Sequence, residues 1–161
     1  MGYTTDFFGQ FNCTPEIPAN LVKDINDYAD TRHFKRNCDE SKYGKEGEMF
    51  IDRHRRDIIG GSDPGTERSW NTKLDPEVKD YNSPAGGCPG LWCQWVATED
   101  GKHIKWDGTE KFYNYVEWLK WIVEKFLKPN GISINGRVTY QGEDDEDHGA
   151  IVAEDNEIRK A

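Results

Sequence analysis

The sequence predicts an α+β fold: a single domain over residues 1–161, with an antiparallel β-sheet and two helices packed mainly on one face. Three observations carry this. Residues 89–131 read as a β-hairpin feeding an amphipathic helix and hold all but one of the six tryptophans. Both ends of the chain alternate apolar and polar residues with the period of a half-buried strand. At 161 residues with 12% aromatics, the chain is long enough for one core and short for two. The predicted order is β-α-β, a long loop, then β-β-α-β-β.

The first strand lies over residues 2–12, where Tyr3, Thr5, Phe7, Gly9 and Phe11 alternate with mostly polar neighbours. Thr14-Pro15-Glu16 reads as a helix opening, with Thr14 as cap and proline in the first turn. Leu21, Val22, Ile25, Tyr28 and Ala29 then form an apolar stripe, with Arg32 snorkelling from its end. Residues 48–53 (EMFIDR) are a short strand candidate. A long irregular loop follows at about residues 57–90, where LDPEVKDY suggests at most one helical turn. Connections of this length act as binding loops or lids, and Trp70 pins this one to the body.

Residues 92–98 form the first strand of the hairpin. Asp100-Gly101 is the preferred centre of a type I′ turn, which places Trp95 opposite Trp106 and Ala97 opposite Ile104. Cys93, Trp95, Ala97, Ile104 and Trp106 then share the core face. Asp107-Gly108-Thr109-Glu110 supplies a helix start, and Phe112, Tyr115, Val116, Leu119, Ile122, Val123 and Phe126 line one helical arc. Lys128-Pro129-Asn130-Gly131 ends that helix. Ile132, Ile134, Gly136, Val138 and Tyr140 mark the next strand, residues 141–149 a turn, and residues 150–153 the returning strand.

A net charge of −9 argues against nucleic-acid binding through phosphate neutralisation and suits a basic partner. No stretch has the length and hydropathy of a membrane span, and the opening lacks the basic and apolar regions of a secretion signal. A myristoylation motif fails at Asp6, which stands where Ser or Thr is required. The expected compartment is the cytoplasm, with four reduced cysteines.

No catalytic motif is present. There is no G-x-S-x-G, and the glycines at 60–61 and 86–87 are not followed by the lysine and hydroxyl of a phosphate loop. The acidic turn at 143–147 lacks the spacing of a calcium loop, and Cys88 and Cys93 lack that of a zinc knuckle. No metal or cofactor is therefore expected. The surface candidates are Trp92, Gln94, His103 and Lys105 on the second face of the hairpin, where flat aromatics and polar groups suit a ligand or partner. Trp121 points away from the helical arc and suits a homodimer contact. Arg53, Arg55 and Arg56 form the one dense basic cluster and are candidates for holding an anion.

The opening MGYTTDFFGQF, the block from PGLWCQWVATEDG to WDGTEKFYNYVEWL and the tail GRVTYQGEDDEDHGAIVAEDN resemble a family of small uncharacterised proteins met in bacteriophage and bacterial genomes. The resemblance covers roughly half to two-thirds of the chain and carries no known activity. It implies a phage or prophage gene product acting inside a bacterial cell. The expected function is that of a non-enzymatic acidic binding protein, an accessory factor that engages a host protein or a small ligand. The alternative is a small enzyme acting on a nucleotide or other phosphorylated substrate, with the three arginines holding the anion and His103 as acid or base.

Overall fold

A computed structural model describes residues 2–51 and 77–161. The fold is α+β, and the chain divides into two compact units: residues 1–26 with 94–161, and residues 27–93.

The first unit is built on a six-stranded antiparallel sheet. Its strands are β1 (Asp6–Thr14), β4 (Trp95–Ala97), β5 (His103–Trp106), β6 (Ser133–Gln141), β7 (His148–Glu154) and β8 (Glu157–Lys160), in the spatial order β4-β5-β1-β6-β7-β8. Alternation drives every strand the same way. Phe7, Phe11, Trp95, Ile104, Val138, Tyr140 and Ile151 all turn to one buried face. The hairpin register is as predicted, with Trp95 opposite Trp106 and Ala97 opposite Ile104. Its turn is not of type I′, since Gly101 has φ +74° but Asp100 stays at negative φ.

Phe7 stands at the centre of the buried face. Its ring meets Tyr115 at 4.9 Å, Trp106 at 5.3 Å, Trp95 at 5.5 Å and Phe112 at 5.8 Å, three of the four edge-on. Such pairs each add about 0.5–1.5 kcal/mol beyond the area they bury.

This cluster explains the largest departure from the sequence reading. The helix does not start near Thr109; α3 spans Tyr115–Ile122. Phe112 is 2% exposed, and Lys111 and Asn114 take left-handed φ values of +60° and +56°. Trp106 Nε1 donates to the Thr109 carbonyl and Gln94 Nε2 to that of Glu110, so the segment is claimed by tertiary bonds. Driving Phe112 into the cluster outweighs continuing the helix by five residues. After α3 the backbone widens into a π-type turn, Val123–Leu127. The extra residue lets the pairs Ile122/Val123 and Phe126/Leu127 all be buried. Trp118, which the helical wheel sets beside the arc, is wholly buried.

Helix α1 (Ala19–Ala29) also begins later than Thr14-Pro15 suggests. Thr14 pairs with Ser133 as the last residue of β1 and so cannot act as a cap. Pro18 provides the first-turn carbonyl, accepting from Leu21 and Val22. Asn26 on α1 finishes the sheet edge: its Nδ2 donates to the Ala97 carbonyl (3.0 Å) and its Oδ1 accepts from Ala97 N (2.8 Å). One side-chain amide thus satisfies both backbone groups that an edge strand would leave open.

The division between the units falls within α1. In the second unit, β2 (Phe34–Arg36) pairs with β3 (Val78–Pro84), and a single helical turn, α2 (Glu40–Tyr43), lies between them in sequence. Neither strand follows from the sequence; β3 stands in the described part of the loop predicted at about 57–90, whose residues 57–76, with the start of the predicted helical turn, lie outside the described residues. β3 buries only Val78 fully, so it shows no period. The strand expected at 48–53 is absent from its described part, where residues 48–49 turn instead. Arg32 is a fixed post: its guanidinium lies 3.9 Å above the Tyr81 ring and bonds the Tyr81 carbonyl. Glu46 accepts from Gly86 N (3.1 Å) and Lys79 Nζ (3.0 Å), tying the loop after β3 to the turn after α2. No described helix is long and apolar enough to cross a membrane.

Candidate functional site

The register that buries Phe7 and Tyr140 sends the intervening residues to the opposite face of the six-stranded sheet. Strand β1 contributes Phe8, Gln10 and Asn12, paired across to Thr139, Arg137 and Asn135 of β6. Beyond β6, Val152 stands opposite Arg137 and His148 opposite Gln141. On the other side His103 is opposite Asn12, and Lys105 opposite Val96. This outer face is largely accessible. Phe8 is 58% exposed, the most exposed large hydrophobic residue among those described, and Gln10, Asn12, Arg137 and Thr139 are also exposed.

Two shallow hollows share Arg137 as a wall. One, of about 390 Å³, is lined by Phe8, Thr139, Gln141 and His148. The other, of about 510 Å³, is lined by Asn135, Val152, Glu154 and Arg159. The chain has 30 carboxylates, yet the interior of this face has none. They stand at its rim, with Asp6 at the start of β1 and Glu154 and Glu157 at the β7–β8 turn. Arg159 is paired with Glu154 at 3.1 Å. Among the described residues Arg137 has no ion pair or side-chain hydrogen bond.

The residues singled out in the sequence fall unevenly against this surface. His103 and Lys105 lie on it, at the β5 end. Gln94 does not offer a free amide. It is 6% exposed, donating to the Glu110 carbonyl and accepting from Trp106 Nε1, so its role is to hold residues 106–110. Trp92 is 38% exposed but precedes β4, in the 27–93 unit, so no strand pairing sets it beside Lys105. Trp121 is half-buried, its ring edge-on to Trp118 at 6.4 Å with Lys125 Nζ 4.7 Å above it. Arg53, Arg55 and Arg56 lie outside the described residues, as does Trp70.

Phe8 and Arg137 were missed, although their signal was present. If Phe7 and Val138 face inward, Phe8 and Arg137 face outward by the two-residue period. What was lacking was the adjacency of β1 and β6, separated in sequence by the hairpin and α3.

Little else in the described residues is arranged for chemistry. Burial, then the Asp100 charge, pushes the Cys13 thiol up to about 11, so it is no nucleophile at neutral pH. His103 Nδ1 is buried without a hydrogen-bond partner, and among the described residues no side chain hydrogen-bonds the ring to orient it for proton transfer. The acidic turn holds the N-terminal segment: Tyr3 Oη donates to Asp147 Oδ2 (2.7 Å) and accepts from Asp144 N (3.1 Å), and Thr4 N donates to the Glu143 carboxylate. Among the described residues no group of three or more His, Cys, Asp or Glu side chains converges to hold a metal ion. No family model, curated protein or solved structure matches the chain.

Proposed function

We propose that this is a non-enzymatic binding protein and that the outer face of its six-stranded sheet engages a protein partner. The observation that carries the reading is Phe8, 58% exposed on a face whose carboxylates, Asp6 and Glu154, stand at the strand ends, with Arg137 diagonally beside it. Partner-binding surfaces are enriched in aromatic residues and arginine and depleted in Asp and Glu at their centres, with charges left at the rim. That contrast is sharp here because the chain as a whole carries −9. In its concrete form, suggested by the resemblance of its opening, hairpin block and tail, the protein is a phage or prophage accessory factor and the partner a host protein. The enzymatic alternative has less support, since it would need His103 positioned for proton transfer.

Affinity capture from bacterial lysate tests the reading, with the wild type compared against Phe8→Ala and, as a surface control away from the face, Lys120→Ala. A protein retained by the wild type and by Lys120→Ala should be lost with Phe8→Ala, whose thermal midpoint should stay within a few degrees because the removed ring is largely in water. Equal retention by Phe8→Ala would exclude this face.

A further inference from the structure

We infer that the outer face receives a carboxylate from its partner, seated on Arg137, with apolar side chains on either side of that carboxylate filling the two hollows; this rests on the reading of the face as a partner surface. Arg137 stands out among the described arginines, since Arg32 bonds the Tyr81 carbonyl and Arg36 the Arg32 carbonyl. Arg159 is paired with Glu154, Lys128 with Glu124 and Lys79 with Glu46. Arg137 has a surplus of carboxylates elsewhere in the chain to draw on, yet its cross-strand neighbours are Gln10 and Val152, which cannot neutralise it. A guanidinium cannot shed its proton to relieve this.

Its planar fork matches a carboxylate in two parallel hydrogen bonds, and phosphate shares that geometry. Overall charge favours the carboxylate. A phosphate group brings about −1.5 to −2 charges to a chain of −9, whereas an acidic side chain brings one. The hollows on either side of Arg137 give the neighbouring residues somewhere to go. The first offers the exposed ring of Phe8, the second Val152, Ala153 and the stem of Arg159, whose charge is met by the Glu154 carboxylate at the outer wall of that hollow. The fitting partner element is therefore a short segment with one acidic residue between apolar ones, lying over β1, β6 and β7.

The test uses the full ¹⁵N-labelled chain and three capped tripeptides, acetyl-Leu-Glu-Leu-amide, acetyl-Leu-Gln-Leu-amide and acetyl-Leu-Lys-Leu-amide. The Glu peptide should shift the Arg137 Nε–Hε resonance together with the Phe8 and Thr139 amides, saturably in the millimolar range. The Gln and Lys peptides should bind more weakly by about tenfold or more. Arg137→Gln should abolish that preference, and Arg137→Lys should restore only part of it, because the charge returns without the fork. Equal shifts from the Glu and Lys peptides would overturn the carboxylate while leaving the face intact. Shifts confined to residues outside the face would overturn both this inference and the reading on which it rests. Movement of the Arg137 resonance on concentrating the protein alone would show a second copy as the occupant and overturn the separate partner.

Discussion

Two single residues show how local geometry decides what the chain tolerates. Gly101 has φ +74°, and a Cβ there would run into the Ile17 carbonyl; Gly108 has φ +88° with nothing within 4 Å. Gly101→Ala should therefore cost more than the roughly 1–3 kcal/mol of left-handed strain that Gly108→Ala carries. Urea unfolding of the two variants checks the difference, and equal losses would show that the hairpin tip moves aside freely. His33 makes a pH prediction. It is fully buried, its ring stacks on Tyr28 at 3.9 Å, and its Nε2 meets the Tyr28 carbonyl at 2.8 Å. Burial pushes the imidazole down from 6.5 to about 3; the hydrogen bond to Tyr28 opposes this and the Arg36 charge adds to it. The unfolded chain takes a proton below its ordinary pKa while the folded chain does not, so this stability is fully present above 6.5 and declines as pH falls towards 3. Between pH 6.5 and about 5, above the range where carboxylates titrate, the urea midpoint should fall in the wild type and hold nearly level in His33→Gln. Matching slopes would assign the effect to other groups.

Among the elements, the three-residue strand β4 depends on something outside the sheet ladder. Asn26 supplies the partners for Ala97 N and O that a further strand would otherwise provide. Asn26→Ala leaves both groups unpaired at a part-buried edge, at a cost of about 1–3 kcal/mol. Hydrogen exchange should show the Ala97 amide losing protection while the β6 and β7 amides of the sheet centre keep theirs. Unchanged protection at Ala97 would mean that water replaces Asn26 without penalty. The aromatic cluster is the other dependency. Phe7 touches both tryptophans of the hairpin, Phe112 and Tyr115, so Phe7→Ala should cost about 3–5 kcal/mol, read from chemical denaturation.

For the whole molecule, charge outweighs any single contact. Thirty carboxylates against 21 basic side chains give −9, and the ion pairs at Glu154 and Glu124 are exposed and add little. Mutual repulsion among surface carboxylates is then a net cost that salt should relieve. Raising sodium chloride from about 0.02 to 0.2 M, which shortens the screening length from about 20 to 7 Å, should raise the thermal midpoint. A falling midpoint would mean that favourable pairs outweigh the repulsion. The same screening should weaken a single Arg137–carboxylate contact only modestly, since its two groups would be in direct contact.

Much of the fold was legible because short-range periodicity is enough to write it. The two-residue alternation of Phe7/Phe11 and Ile134/Val138 marked β1 and β6, and the pairing of Trp95 with Trp106 followed from the hairpin tip. Where burial depends on partners distant in sequence, periodicity said nothing. Short β2 and weakly patterned β3 pair across more than 40 residues, Phe112 leaves a good helix start for an aromatic cluster, and Gln94 is drawn inside by Glu110 and Trp106. The candidate site shows the same limit. The alternation alone determines that Phe8 and Arg137 point away from the core, but only the tertiary order β5-β1-β6-β7 puts them on one face, because strand adjacency is set by how the whole apolar surface is buried and not by any local signal.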